Sequence, residues 1–167
     1  MTIYTKRLAI RRLDLNDYTE YAALTAHKEV ASGAGFDLIS NPQMIQSALK
    51  RQLKASGTLG IFRGSKLIGA ILLFERVGRG GRPDPNHFEI SYFLAPDCWH
   101  TGYMSEAITG LLPVLRSASE IRSLIAEVFT DNQQSLALLK RLHFRFKAEL
   151  RDPIVGRRKA IFELELK

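Results

Sequence analysis

Between Phe88 and Leu115 the hydrophobic period changes once, and that change demands a strand, a short glycine-bearing loop and a helix in that order. Phe88 to Leu94 is rich in aromatic and β-branched residues, as a strand requires. Met104, Ala107, Ile108, Leu111, Leu112 and Leu115 then recur at helical spacing with one apolar face. The connection, Ala95-Pro96-Asp97-Cys98-Trp99-His100-Thr101-Gly102, leaves the helix start facing outward. A helix N-terminus holds N–H groups without intrahelical partners and a positive dipole end, so such a turn can hold a phosphate without a lysine. Strand-loop-helix units are common, so the remainder of the chain has to say whether this one is a binding site.

With 167 residues, 46% apolar and 25% charged, the chain is the size and composition of one globular domain over residues 1–167 with a core of its own. No apolar run reaches membrane-spanning length, and the first residues lack a secretory segment, so a cytoplasmic protein with no membrane partner is expected. The one cysteine, Cys98, excludes an internal disulfide and agrees with a reducing compartment. A formal net charge of +7 favours anions: a phosphorylated cofactor, an acidic substrate surface or ribosomal RNA. A basic surface that only confers solubility explains the charge equally well, and no specific nucleic-acid motif is present.

Arg7 to Leu13 alternates with period two and predicts a strand. Asn16 or Asp17 is placed to cap a helix over Tyr18 to Lys28, which Ser32-Gly33-Ala34-Gly35 would follow as a flexible break. Asn41-Pro42 announces a second helix ending near Ser56. Leu59 to Arg63 and Lys66 to Val77 are strands joined by a tight turn at Gly64-Ser65, and Gly78 to Asn86 reads as a long hairpin tip. After the central helix, which Pro113 should kink, come a strand over Ser123 to Phe129 and a helix from Gln133 to Leu142. Strands over Phe144 to Leu150 and Lys159 to Leu166 close the chain. The order β-α-α-β-β-β-α-β-α-β-β predicts an α/β fold, a mixed sheet with helices on both faces.

That order and four sequence blocks resemble the GNAT acetyltransferase superfamily, and within it the branch that acetylates the N-termini of ribosomal proteins. The blocks are Thr5-Lys6-Arg7-Leu8, then Glu89-Ile90-Ser91-Tyr92-Phe93-Leu94-Ala95-Pro96, then Trp99 to Ala107, and finally Asp131-Asn132-Gln133-Gln134-Ser135 with Leu139 and His143-Phe144. Two residues depart from the pattern. His100 and His143 stand where relatives have glycine; His100 adds bulk beside the phosphate loop, and His143 falls where a helix end often needs a left-handed residue.

The resemblance implies a mostly antiparallel sheet, acetyl-CoA as co-substrate, no metal, and direct attack by a primary amine. It assigns the acetyl-CoA diphosphate to His100, Thr101, Gly102, Tyr103, Met104 and Ser105, with Asn132 facing the cofactor. It assigns the pantetheine arm to main-chain groups of Tyr92, Phe93 and Leu94. Glu89 is the first candidate for the base that deprotonates the amine, and Glu127 the second. Relatives donate a proton to the leaving thiolate from a tyrosine at the position of Leu139; here Ser135 is the alternative hydroxyl, unless it serves only its own helix start. The acceptor is a protein N-terminus, with a ribosomal protein as one such partner, or else a small amine such as an amino acid, polyamine or drug. A third reading, from another class, is an acyl-CoA-binding module without turnover. Monomer and homodimer are equally compatible with the sequence.

Overall fold

A computed structural model describes residues 1–34, 41–55 and 57–167. Its strands are β1 (Thr2–Tyr4), β2 (Ala9–Arg12), β3 (Thr58–Arg63), β4 (Lys66–Val77), β5 (Pro83–Leu94), β6 (Ser123–Phe129), β7 (Arg145–Arg151) and β8 (Arg158–Glu165). The α-helices are α1 (Tyr18–Thr25), α2 (Lys28–Ala34), α3 (Pro42–Lys54), α4 (Tyr103–Ser117) and α5 (Gln133–Arg141). The eight strands form one sheet in the order β1-β2-β3-β4-β5-β6-β8-β7. The pairs β1–β2, β2–β3, β3–β4, β6–β8 and β7–β8 are antiparallel, and β5–β6 is parallel. This is the mixed α/β architecture expected from the element order.

The chain forms two compact units, one of Met1–Leu72 with Tyr92–Gly110 and one of Leu73–Ser91 with Leu111–Lys167. In the first, Ile10, Leu13, Tyr21, Leu53, Ile68 and Ile108 are almost wholly removed from solvent. Each such side chain contributes on the order of 1.5–3 kcal/mol of transfer free energy. The buried Tyr21 hydroxyl stays satisfied by donating to Gln52 Oε1 at 2.9 Å. In the second unit Leu124, Ala126, Leu138, Leu139, Phe144 and Phe162 form the core. The alternate burial along β6, with Leu124, Ala126 and Val128 inside, leaves Ile125, Glu127 and Phe129 on the other face.

Several boundaries differ from the sequence reading, each for a local reason. β1 is three residues long, too short to carry a period, and the sequence pattern predicts no strand there. The helix expected over Tyr18 to Lys28 ends at Thr25, whose hydroxyl donates back to the carbonyls of Tyr21 and Ala22, and α2 then runs through the expected break as far as Ala34. The rest of that expected break, from Gly35, and the helix end at Ser56 lie outside the described residues. Asp17 stands at the N-cap of α1, one of the two positions expected, but its side chain makes no capping bond there: it takes the Arg11 guanidinium at 2.7 Å, while Asp14 caps the turn before α1, accepting from Asn16 N–H at 2.7 Å. The hairpin tip is shorter than expected: Gly78 N–H donates to Arg82 O at 2.7 Å, and β5 begins at Pro83. Asn41 caps α3 as expected, accepting from Gln43 N–H at 2.9 Å.

Candidate active site

In the first unit, β5 delivers the chain into the central loop. Gly69 of β4 makes this possible: a Cβ there would stand 2.6 Å from Phe93 O and 2.5 Å from a Leu94 methyl, so only glycine lets the two strands lie this close. Ala95 N–H donates to Ile68 O at 2.8 Å, and Trp99 Nε1–H donates to Leu94 O at 2.9 Å. Trp99 therefore anchors the loop to the strand end. Phe93 and Leu94 are buried, whereas Tyr92 is part-exposed.

The loop turns twice through the left-handed region, at His100 with φ 58° and at Gly102 with φ 79°. Histidine at the first φ carries strain that glycine would not. His100, Thr101 and Gly102 are exposed, and among the described residues a Cβ at Gly102 would meet only Arg7 Nη2, at 3.6 Å. Tyr103, Met104 and Ser105 open α4, so their N–H groups have no acceptor within the helix. The loop thus offers exposed backbone with room before it, which fits a bound diphosphate.

Three residues that sequence reasoning left out of the site hold this loop. Glu106, in the first turn of α4, accepts from Thr5 Oγ1 at 2.6 Å, Arg7 N–H at 2.8 Å and Arg7 Nε at 2.6 Å. Arg7 Nη1 also donates to Thr101 O at 3.0 Å, and its guanidinium lies 4.4 Å from the centre of the Tyr103 ring. Burial opposes ionisation of Glu106, but the hydrogen bonds from Thr5 and Arg7 outweigh it and hold the carboxyl below its ordinary range. The signal was present as the Thr5-Lys6-Arg7-Leu8 block, whose meaning lay a hundred residues away.

In the second unit, the parallel ladder carries three registered pairs and ends at Glu89↔Ile125. Residues paired across a ladder share a face, so Glu89 lies on the same face as Ile125 and, two residues on, Glu127. The structure thereby brings the two candidate bases together, and it distinguishes them. Glu127 sits between Arg76 Nη1 at 3.7 Å and Lys159 Nζ at 3.6 Å. The Glu89 carboxylate makes no hydrogen bond or ion pair among the described residues. Its burial, reinforced by the charge of Glu127, pushes its carboxyl up from its ordinary 4.5, and Arg76 and Lys159 only partly offset this. Lys159 in turn holds Asp152 at 2.8 Å and draws that carboxyl down to about 2, aided by the N–H groups of Val155 and Ile154. Arg76 and Lys159 were not foreseen, and neither stands out in its own strand, since β4 also carries Lys66 and Glu75, and β8 also carries Arg158, Glu163 and Glu165.

The turn after β6 places the last two candidates. Asn132 Oδ1 accepts from Ser135 N–H at 3.1 Å, so Asn132 is the cap of α5. Among the described residues the Ser135 hydroxyl makes no hydrogen bond, and the capping bond at this helix start is accepted by Asn132. Leu139 is fully buried. At the far end His143, with φ 64°, and Phe144 donate their N–H groups to Lys140 O at 3.1 Å and Leu139 O at 2.9 Å. This is the left-handed helix stop anticipated for His143. Among the described residues no group of three His, Cys, Asp or Glu is arranged to hold a metal ion, and no helix is long and apolar enough to cross a membrane.

Comparison with known proteins identifies the family. Residues 7–145 match the family model described as an acetyltransferase (GNAT) domain. The chain is 30% identical over 154 residues to the uncharacterized N-acetyltransferase YoaA of Bacillus subtilis (strain 168), covering 88% of this chain and 84% of that protein. Its fold superimposes on a GNAT-family acetyltransferase from Bacillus anthracis with a TM-score of 0.82 at 17% identity, covering 99% of both chains. It also superimposes on RimL, the ribosomal L7/L12 alpha-N-protein acetyltransferase, in complex with coenzyme A, with a TM-score of 0.80 at 16% identity over 99% of this chain and 98% of that one. The chain belongs to the GNAT family and is an N-acetyltransferase.

Proposed function

We propose that residues 1–167 form one catalytic domain that transfers acetyl from acetyl-CoA directly to an α-amine, with a protein N-terminus as the acceptor class. Acetyl-CoA, when bound, supplies the activated acetyl group as a thioester. The N–H groups of the loop from His100 to Ser105 hold its diphosphate, with Asn132 facing it, and main-chain groups of Tyr92, Phe93 and Leu94 orient the pantetheine arm. Glu89 takes the proton from the attacking amine. The Ser135 hydroxyl gives a proton to the departing thiolate and takes one back from solvent, so that it leaves the step as a neutral hydroxyl.

The observation that carries this reading is the contrast between the two carboxylates. An α-amine titrates near ~8 and a lysine near ~10.4, so a base at an ordinary carboxylate value is poorly matched to either. Raising Glu89 narrows its gap to either kind of amine, which favours Glu89 over Glu127 as the base acting on the N-terminal acceptor class. The likeness of fold to RimL supports the same class, with a ribosomal protein as one such acceptor.

The test is thiol release from acetyl-CoA across a panel of N-terminal peptides, amino acids and polyamines. Glu89→Gln should lower kcat/KM for the accepted amine by ~10²–10⁴ at neutral pH with acetyl-CoA affinity preserved, and Glu127→Gln should lower it less. The reverse order would move the base to Glu127. A preference for polyamines over peptides would replace the acceptor class.

A further inference from the structure

The clasp on Glu106 has a geometry that ordinary surface ion pairs lack. Thr5 and Arg7 lie in the connection between β1 and β2, yet their polar groups are directed to the loop and first turn at residues 101–106 and not to their own strands. Thr5 Oγ1 accepts from Leu8 N–H at 3.1 Å and donates to Glu106 at 2.6 Å, so its hydroxyl is used in both senses. Arg7 is held on three sides: by the Glu106 carboxylate, by the Tyr103 ring and by Thr101 O.

The Thr101 carbonyl and the Gly102 N–H belong to a single planar peptide unit and point to opposite sides of it. Fixing the carbonyl on Arg7 therefore fixes the N–H in the other direction. At Gly102 this matters, because its freedom in φ would otherwise let the peptide flip at little cost. The clasp also answers an electrostatic problem. Glu106 lies in the first turn of the helix that opens with the loop, where an unpaired carboxylate would repel a diphosphate.

We propose that Thr5 and Arg7 are positioning residues for the acetyl donor: through Glu106 and the Thr101 carbonyl they aim the Gly102 N–H and mask the Glu106 charge. This rests on the reading of the loop as the diphosphate holder. Arg7 acts on the loop, and the phosphates are left to the backbone.

Calorimetric titration with acetyl-CoA, alongside steady-state kinetics, tests it. Arg7→Met should weaken acetyl-CoA binding by roughly tenfold, the equivalent of one well-made charged hydrogen bond. KM for acetyl-CoA should rise in step, with kcat at saturating donor and KM for the amine near wild type; a purely structural role would disturb both substrates. Thr5→Val should weaken donor binding and Thr5→Ser restore it, which keeps the test open should Arg7→Met fail to fold. In a double-mutant cycle, Arg7→Met should cost much less in a Glu106→Gln background, since Arg7 no longer has its anchor. An additive cycle would mean that Arg7 touches the phosphates itself, and wild-type donor affinity in folded Arg7→Met and Thr5→Val would overturn the proposal. If Gly102→Val also leaves affinity unchanged, the loop assignment falls with it; if Gly102→Val weakens binding while Arg7→Met does not, only the positioning role falls.

Discussion

Gly102 is the position where a single added side chain tests the donor site most directly. At φ 79° a residue with a Cβ is strained by roughly 1–2 kcal/mol, with valine at the upper end because of its branched Cβ. Space adds nothing to that cost at the Cβ itself, since the only neighbour among the described residues is Arg7 Nη2 at an ordinary 3.6 Å. In Gly102→Val the strain then has two outlets. If the valine keeps the left-handed geometry, the fold loses about 2 kcal/mol, which for a chain of this size lowers Tm by about 4–8 °C. If the loop relaxes, the N–H at this position turns away, and the same ~2 kcal/mol appears as a loss of roughly 30-fold in donor affinity. In either case the γ carbons project into the open space before the loop, so steric exclusion weakens binding further.

Calorimetry and thermal melting on Gly102→Ala and Gly102→Val separate these contributions, because alanine carries the strain without the γ carbons. The valine variant should bind acetyl-CoA more weakly than the alanine variant, and the alanine variant more weakly than wild type. His100→Gly runs the other way: it removes strain at φ 58°, so donor affinity should hold or rise. Unchanged acetyl-CoA affinity in a folded Gly102→Val variant would refute the assignment of this loop to the diphosphate.

Glu89→Gln should also change stability in a pH-dependent way. The folded carboxyl titrates above its unfolded value, so its contribution is fully present below about 4.5 and is lost as pH rises through the folded value; the glutamine variant has no such loss. The Tm difference, variant minus wild type, should therefore grow more positive from acid to neutral pH in thermal melts, and a flat difference would show that Glu89 ionises there without cost. Ser135→Ala should slow single-turnover acetylation while leaving acetyl-CoA affinity nearly intact, because a contact made to the leaving group acts on kcat; equal rates would assign the proton to solvent.

Most strands and helices could be read from the sequence because their signals are local. The Asn41-Pro42 start of α3 and the turn at Gly64-Ser65 are set by residues adjacent in the chain, and β4 and β6 have the bounds their patterns predict. Where the reading failed, a second preference competed locally. Asp17 has the chemistry of a helix cap, but the Arg11 guanidinium takes its carboxylate and the capping passes to Asp14. Thr25 is an adequate helix residue until its hydroxyl bonds back to the preceding turn.

The candidate site divides along the same line. The Schellman end at His143 was foreseeable because the need for a left-handed residue belongs to the helix stop itself. The difference between Glu89 and Glu127 was not, because it depends on which cations face each carboxylate across the sheet. Arg76 comes from β4 and Lys159 from β8, and only the register Phe129↔Lys159 and Glu127↔Ile161 puts Lys159 next to Glu127. A strand glutamate gives the same local signal whether it ends in an ion pair or in a desolvated pocket. Its neighbours decide between a carboxylate held in place by two cations and one whose proton affinity is raised toward that of an amine. The proposed division of roles therefore rests on the strand order β4-β5-β6-β8, which among the described residues gives ion-pair partners to one of two similar glutamates and not to the other.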